Sequence, residues 1–399
     1  MNEESGKLII TRYKNNILSL LYDEKNEPVE ICCDSGRKES LIGNIYIGKV
    51  SAIVPSINAA FIEYLPGRMG CFIMDDEPSP VFADPERKPG PVRPGDLLIV
   101  QAAKDAQKTK EPVLSSNINL TGKYVVFTLN RPGIRFSSKF KDTEKKRIIK
   151  ERYAGTQTDE FGFIIRTNSE YADTDLIFKE MEFYSEIWRS ISGYSQCRPA
   201  FSLLYTAPKP YLAFVRDCYD LAAGKIVTDD PGIYEEIRNY LAGYQENDTG
   251  RLVFYNNPAV PLKVLYSVEK HIEEALKKKV YLKSGGYIVI EPAEALVSID
   301  VNSGKYVSKR EAEREYLKIN LEAAKEIARQ IRLRNLSGII IVDFINMKSP
   351  KDRQLLMKEF SGLLAKDPQK TTLVDMTKLN LAEITRKKGR RPLYELLDI

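Results

Sequence analysis

The chain of 399 residues is 29% charged and 43% hydrophobic and carries a net charge of +5. This is enough for two or three domains with ordinary cores, in a composition typical of globular proteins. No run of about 18 apolar residues occurs, so no membrane-spanning helix is expected. The opening Met1 to Lys7 lacks the apolar centre of a secretory signal, and a cytoplasmic protein without a membrane partner is the expectation.

The five cysteines (Cys32, Cys33, Cys71, Cys197 and Cys218) form no C-x-x-C pair. Neither a disulfide framework nor a structural zinc site is expected, and all five read as buried thiols. The single histidine, His271, excludes a catalytic histidine pair within one chain; hydrolysis would have to rest on carboxylates and a metal. His271 falls in Val268 to Leu276, which reads as an amphipathic helix with the imidazole facing solvent. The mild basicity permits nucleic-acid binding without requiring it.

From the N-terminus, residues 1–40 show short apolar runs around the turn Asp23-Glu24-Lys25-Asn26, and two or three strands fit. Residues 41–122 continue with Asn44 to Val50, Ala59 to Tyr64, Gly70 to Met74 and Leu97 to Gln101. Closely spaced strands with glycine turns suggest a small barrel. Six prolines from Pro78 to Pro94 mark a long loop before the last of these strands, since proline removes ladder donors. Residues 123–207 mix strands, Tyr124 to Thr128 and Gly162 to Thr167, with a helix over Asp175 to Ser190, and residues 208–277 end in the helix that carries His271.

The remainder is the clearest. Gly286 to Ile290 and Ala295 to Asp300 read as adjacent strands. A long helix follows from about Ser308, with Leu321, Ala324, Ile327, Ala328 and Ile331 on one face. It stops near Asn335 to Gly338, and Ile339 to Val342 is an apolar strand ending in Asp343. Strand, helix, strand implies α/β layering.

Asp300 and Asp343 therefore stand at the ends of apolar strands, where α/β sheets place their sites. Strand alternation puts Asp300 and Asn302 on one face. Two converging carboxylates need a proton or a cation to neutralise them. Such oxygen ligands, completed by water and phosphate oxygens, describe a magnesium site that can activate water and orient an in-line attack on phosphorus. Asn302 could hold the attacking water or a phosphate oxygen. The bland alternative is a helix cap or a turn acid, and spacing alone does not choose.

The residues around the acids add a resemblance. Lys283 to Glu291 (KSGGYIVIE) with Glu294 to Gly304 (EALVSIDVNSG) closely resembles the signature around the first metal-binding aspartate of the RNase E/RNase G family. Asn320 to Arg334 (NLEAAKEIARQIRLR), followed by Gly338 to Met347 (GIIIVDFINM), resembles the second. The resemblance runs through the chain in the family's order and implies an α+β fold of several subdomains. Residues 1–40 and 208–277 would be two segments of an RNase H-like subdomain. Residues 41–122 would be an inserted S1-type oligonucleotide-binding (OB) barrel, 123–207 a sensor of RNA 5′ ends, and 278–399 a DNase I-like α/β catalytic subdomain.

The resemblance further implies that Asp300 and Asp343 bind magnesium, with manganese as a substitute, that Asn302 assists, and that Arg166 and Thr167 contact a 5′-monophosphate. An arginine fork and a threonine hydroxyl suit phosphate, although such a pair taken alone is usually plain surface. In the barrel, Phe61 is placed to stack a base, and Lys49, Lys108 and Lys110 to follow phosphates; core packing and ordinary solvation are the alternatives. The basic Thr385 to Arg391 is expected to join the RNA surface, with a solvated charge run as its alternative.

Departures from the family's pattern matter too. No C-P-x-C pair stands after the catalytic region in these residues, so no zinc is expected and a zinc-linked homo-oligomer is not carried over. Gln107 to Pro112 replaces a glycine-rich loop, Cys71 stands where an aromatic is common, and Asn346 replaces an acid. The expected activity is a magnesium-dependent endoribonuclease that cuts single-stranded RNA to 5′-phosphate and 3′-hydroxyl ends and favours 5′-monophosphorylated substrates. The rival reading is a non-catalytic or weakly catalytic RNA-binding factor, including one associated with the ribosome.

Overall fold

The computed structural model describes residues 6–35, 40–74, 79–88, 90–106, 111–156, 158–218, 223–304, 312–377 and 379–397. The chain divides into two compact units, one of residues 1–37, 221–241 and 247–399, the other of residues 38–220 and 242–246. In chain order the second is an insertion into the first.

The first unit holds two sheets. A five-stranded sheet runs in the order Leu252–Phe254, Ala223–Thr228, Gly6–Tyr13, Asn16–Tyr22 and Pro28–Ser35. The three N-terminal strands form an antiparallel meander, and Ala223–Thr228 joins Gly6–Tyr13 in parallel, with Leu8 beside Ile226. Ile9, Leu18, Leu20 and Ile31 pack with Leu262, Val268 and Ile272. His271 does not face solvent as expected. It is half-buried, with Nδ1 3.1 Å from the Tyr22 hydroxyl, which donates to the Tyr266 carbonyl at 2.9 Å. Burial lowers the imidazole pKa and pushes the Tyr22 phenol well above its usual range.

The second sheet of this unit has six strands in the order Lys279–Tyr281, Tyr287–Pro292, Leu296–Asn302, Gly338–Asp343, Leu381–Arg386 and Thr371–Met376. Helices Ala312–Leu333 and Pro350–Leu364 cover one face. There Ile288, Ile290, Val297, Ile299, Ile340, Val342, Ala382 and Ile384 pack against Ala323, Ala324, Ile327, Ile331, Leu356 and Phe360. Each such isoleucine contributes about 1.5–3 kcal/mol by leaving water. The only parallel pair in this sheet, Leu296–Asn302 with Gly338–Asp343, is joined through the long helix, as the strand–helix–strand pattern requires.

In the inserted unit, strands Ile45–Val54, Ala59–Leu65, Arg68–Ile73, Val113–Ser115 and Leu97–Lys104 close into a five-stranded barrel. The last pairs back onto the first, and Leu203–Tyr205 adds to the first strand's other side. Val50, Ala60, Ile62, Tyr64, Phe72, Leu98, Val100 and Leu114 fill the barrel core. Ile45, Ile47 and Ile99 belong instead to the core beneath a four-stranded sheet ordered Gly133–Phe136, Phe161–Ile165, Val125–Leu129 and Asn119–Thr121. The Thr174–Ser195 helix packs on that core through Ile177, Met181, Tyr184 and Trp188. Among the cysteines, Cys32, Cys33 and Cys218 are buried, Cys71 is half-buried and Cys197 is exposed. The expectation of five buried thiols is corrected for Cys71, half-buried in a barrel strand, and for Cys197, which lies in the turn just past that helix instead of in a core element.

Candidate active site

Alternation along Leu296–Asn302 buries Val297, Ile299 and Val301 under the helices and turns Ser298, Asp300 and Asn302 to the open face. The neighbouring Gly338–Asp343 strand buries Ile340 and Val342 and exposes Asp343. Asp300 is paired with Asp343 in the parallel register. The two carboxylates therefore project from one face of strands about 4.8 Å apart. The strand continues two residues past Asp300, and Asn302 Nδ2 donates to Asp300 Oδ2 at 2.6 Å. Partial burial and the charge of Asp300 raise the pKa of Asp343.

Three further residues fix the backbone here. Gly304, at φ +69°, leaves Gly285 O only 2.2 Å from where a Cβ would stand, so glycine alone fits the turn after Asn302. Asn320, fully buried in the long helix, donates to Ile345 O at 2.7 Å and accepts from Ile345 N at 3.0 Å, clamping the chain that leaves Asp343. Glu322 accepts from the backbone N–H groups of Lys283 (2.6 Å) and Ser284 (3.1 Å). Sequence alone assigns these three residues no role. An asparagine at a buried helix position was the available signal, because a buried amide must find partners.

In the inserted unit, the strand expected to carry Arg166 and Thr167 ends at Ile165; Arg166 is extended, and Thr167 begins a short 3-10 turn. Arg166 Nη1 donates to Gly122 O at 2.5 Å and Nη2 to Asp217 Oδ1 at 2.8 Å, while Arg216 adds two bonds of 3.1 Å to the same carboxylate. Burial would raise the Asp217 pKa, but the two guanidinium groups outweigh it and hold the carboxyl well below its usual range. Thr167 Oγ1 lies 3.0 Å from Ser137 Oγ. Asp217 and Ser137 were not foreseen, since neither is near Arg166 in sequence.

On the barrel, Lys49 is exposed and Phe61 half-buried. Their strand positions, Lys49 opposite Glu63 and Phe61 two residues before it, set both on the outer face, with Ile62 and Tyr64 inside. Lys108 and Lys110 lie outside the described residues.

The sequence model of the Ribonuclease E/G family matches residues 119–389 of this chain. The chain belongs to that family. It is 32% identical to the Ribonuclease E of Synechocystis sp. over 98% of its length, and 30% identical to the Ribonuclease G proteins of Haemophilus influenzae and Escherichia coli K12 over 92%. It spans 58% of the Synechocystis protein and 77% of each Ribonuclease G. The residues matched to the family contain Arg166, Thr167, Asp300, Asn302 and Asp343; Lys49 and Phe61 precede them.

Among the described residues, no group of three or more His, Cys, Asp or Glu side chains is arranged to hold a metal. Asp300 and Asp343 offer two carboxylates, and a hard cation held by two carboxylates fills its remaining positions with water and phosphate oxygens. The basic run Thr385 to Arg391 divides in two. Arg386 is buried, paired with Asp367 at 2.7 Å and bonded to Asn335 at 2.7 Å; Arg390 pairs with Glu30 at 2.6 Å. Lys387, Lys388 and Arg391 are exposed. Arg386 is thus a structural cation, a correction to reading the whole run as surface.

Proposed function

We propose that this chain is an endoribonuclease that hydrolyses single-stranded RNA with magnesium, or manganese in its place, held by Asp300 and Asp343. The observation that carries the reading is the in-register placement of those two acids on one open sheet face. The donor set fits a hard divalent cation, because a like-charge carboxylate pair, one of raised pKa, gains from a cation between them. Bound there, the ion would polarise a phosphoryl oxygen and acidify a water. The asparagine amide of Asn302 holds Asp300 in place through its Nδ2 and leaves Oδ1 to accept from water or an RNA hydroxyl. Attack on phosphorus with departure of the 3′ oxygen leaves 5′-phosphate and 3′-hydroxyl ends.

The same reading assigns the six-stranded sheet and its helices to a DNase I-like catalytic subdomain (278–399) and the five-stranded sheet to an RNase H-like one (1–40 and 208–277). The barrel becomes an S1-type OB module (41–122) and the four-stranded sheet a 5′ sensor (123–207). Arg166 and Thr167 receive a 5′-monophosphate there, the phosphate competing with Asp217 for a guanidinium already arranged to bind oxyanions. Phe61 stacks a base, and Lys49, with Lys108 and Lys110, follows the backbone. The location is the cytoplasm; no helix among the described residues is long and apolar enough to cross a membrane. No zinc is assigned.

The test is incubation with a short single-stranded RNA, with and without magnesium, and analysis of the product ends. Internal cleavage that needs the ion and leaves 5′-phosphates supports the proposal. Equal RNA binding with and without magnesium, and no cleavage, favours the binding factor instead.

A further inference from the structure

The open face that carries the acids also carries an aromatic pair that the chemistry above does not use. Lys279–Tyr281 is the edge strand of the six-stranded sheet, and the register runs unbroken from it to the acids. Lys279 pairs with Val289, Val289 with Asp300 and Asp300 with Asp343; Tyr281 pairs with Tyr287 and Tyr287 with Asn302. Paired residues share a face. Tyr287 is therefore one strand, about 5 Å, from Asn302, and Tyr281 two strands, about 10 Å, from it.

The two rings stand with centroids 6.1 Å apart and planes at 59°. The Lys279 ammonium lies 3.5 Å from the Tyr287 ring centroid and 4.9 Å from that of Tyr281. Tyr281 is 72% exposed, far more than a ring kept for packing. Lys277 and Lys278 precede Lys279 in an exposed run. An accessible ring offers a π-face to any base, and lysines beside it suit the phosphate that follows.

We propose that Tyr281, Tyr287 and Lys279 form a base-stacking subsite for one nucleotide of single-stranded RNA, next to the phosphate held at Asp300 and Asp343. The subsite rests on the nuclease reading for its position relative to the cut. It takes any base, since stacking is sequence-tolerant, and Lys279 meets the adjoining phosphate.

The experiment compares the wild-type protein with Tyr281→Ala and Tyr281→Phe. It uses a short single-stranded RNA and a series of the same RNA carrying one abasic nucleotide at successive positions, and measures Kd and cleavage for each. The exposed position makes all three expected to fold. Tyr281→Ala weakens binding by about 5- to 100-fold, the fold-change that stacking one base on an aromatic ring represents; Tyr281→Phe, which keeps the ring, stays within about twofold of wild type on the same stacking argument. Wild type loses affinity with the abasic nucleotide at one position beside the cut, and Tyr281→Ala shows no penalty there. An active wild type with Tyr281→Ala unchanged in Kd overturns the subsite and leaves the nuclease reading standing. A wild type that binds without cutting removes the nuclease reading, and the Kd comparison alone then decides the subsite. A wild type that neither binds nor cuts overturns both.

Discussion

Arg166 and Asp217 form an ion pair, Nη2 to Oδ1 at 2.8 Å, in which the same guanidinium also holds the Gly122 carbonyl. The fork is therefore fixed before any RNA arrives, and little side-chain entropy is left to lose. Replacing Arg166 with Lys keeps the charge and removes the fork. The proposed preference for 5′-monophosphate over 5′-hydroxyl RNA, read as a ratio of initial rates, is expected to fall about tenfold, the scale of one charge-assisted bond. An unchanged ratio would remove Arg166 from phosphate recognition.

The same pair bears on acid stability. The folded pKa of Asp217 is depressed, so its contribution is present above the ordinary carboxylate range near pH 4 and is lost as pH falls through the folded value. The Asp217 side chain is 36% exposed, so solvent screening limits the stabilisation to about 1–2 kcal/mol. Asp217→Asn is expected to lower stability to denaturant at pH 7, with the gap to wild type narrowing on strong acidification.

Asp343 gives the opposite sign. Its folded pKa is raised by burial and by Asp300, so the ionised pair weakens the folded state, and stability falls as pH rises past the unfolded value. In metal-free buffer at pH 7, Asp343→Asn is expected to raise the melting temperature by about 1–2 °C, the scale of a surface electrostatic term. Magnesium is expected to raise the melting temperature of wild type and not of the variant. A variant that melts lower in metal-free buffer would contradict the like-charge account.

Glu180 is expected to matter without touching RNA. Its carboxylate accepts the backbone N–H groups of Lys123 (2.7 Å), Tyr124 (2.6 Å) and Val125 (2.8 Å), next to the carbonyls of Gly122 and Tyr124 that hold Arg166. Burial pushes its pKa up against the pull of those three donors. A Cβ on Gly122 would stand 2.5 Å from the Glu180 carboxyl carbon. Both Glu180→Leu, which leaves the donors unpaired, and Gly122→Ala should destabilise the protein by about 2–3 kcal/mol. Denaturant titration checks the stability, and the paired-substrate ratio should fall with it.

The basic run separates by the same kind of test. Arg386→Ala takes the guanidinium away from the buried Asp367 carboxylate and should destabilise by about 3–5 kcal/mol. Replacing Lys387 and Lys388 together with Ala should leave the melting temperature unchanged and reduce the salt slope of RNA binding by about 1–1.5. An unchanged slope would return that pair to plain solvated surface.

What the sequence made legible follows from which forces are local. Period-two burial in Leu296–Asn302 and the apolar face of the long helix are written within one segment, so the layering around the acids could be read. The family could be read because its words run for many residues around Asp300 and Asp343. Charges were legible, but their counter-ions were not. Asp217 for Arg166, Asp367 for Arg386 and Tyr22 beside His271 are tertiary partners that no spacing rule announces. The pairing of Asp300 with Asp343 itself needed the parallel register, which the sequence offers only as adjacency.

The most direct measurement is magnesium-dependent cleavage of a single-stranded RNA by wild type, Asp300→Asn and Asp343→Asn, with RNA affinity measured on the same samples. The account predicts that each substitution lowers cleavage by more than about 100-fold, the scale of losing one charge-stabilising group, while RNA affinity holds within a few-fold. Cleavage retained in both variants would contradict the assignment of Asp300 and Asp343 as the catalytic pair.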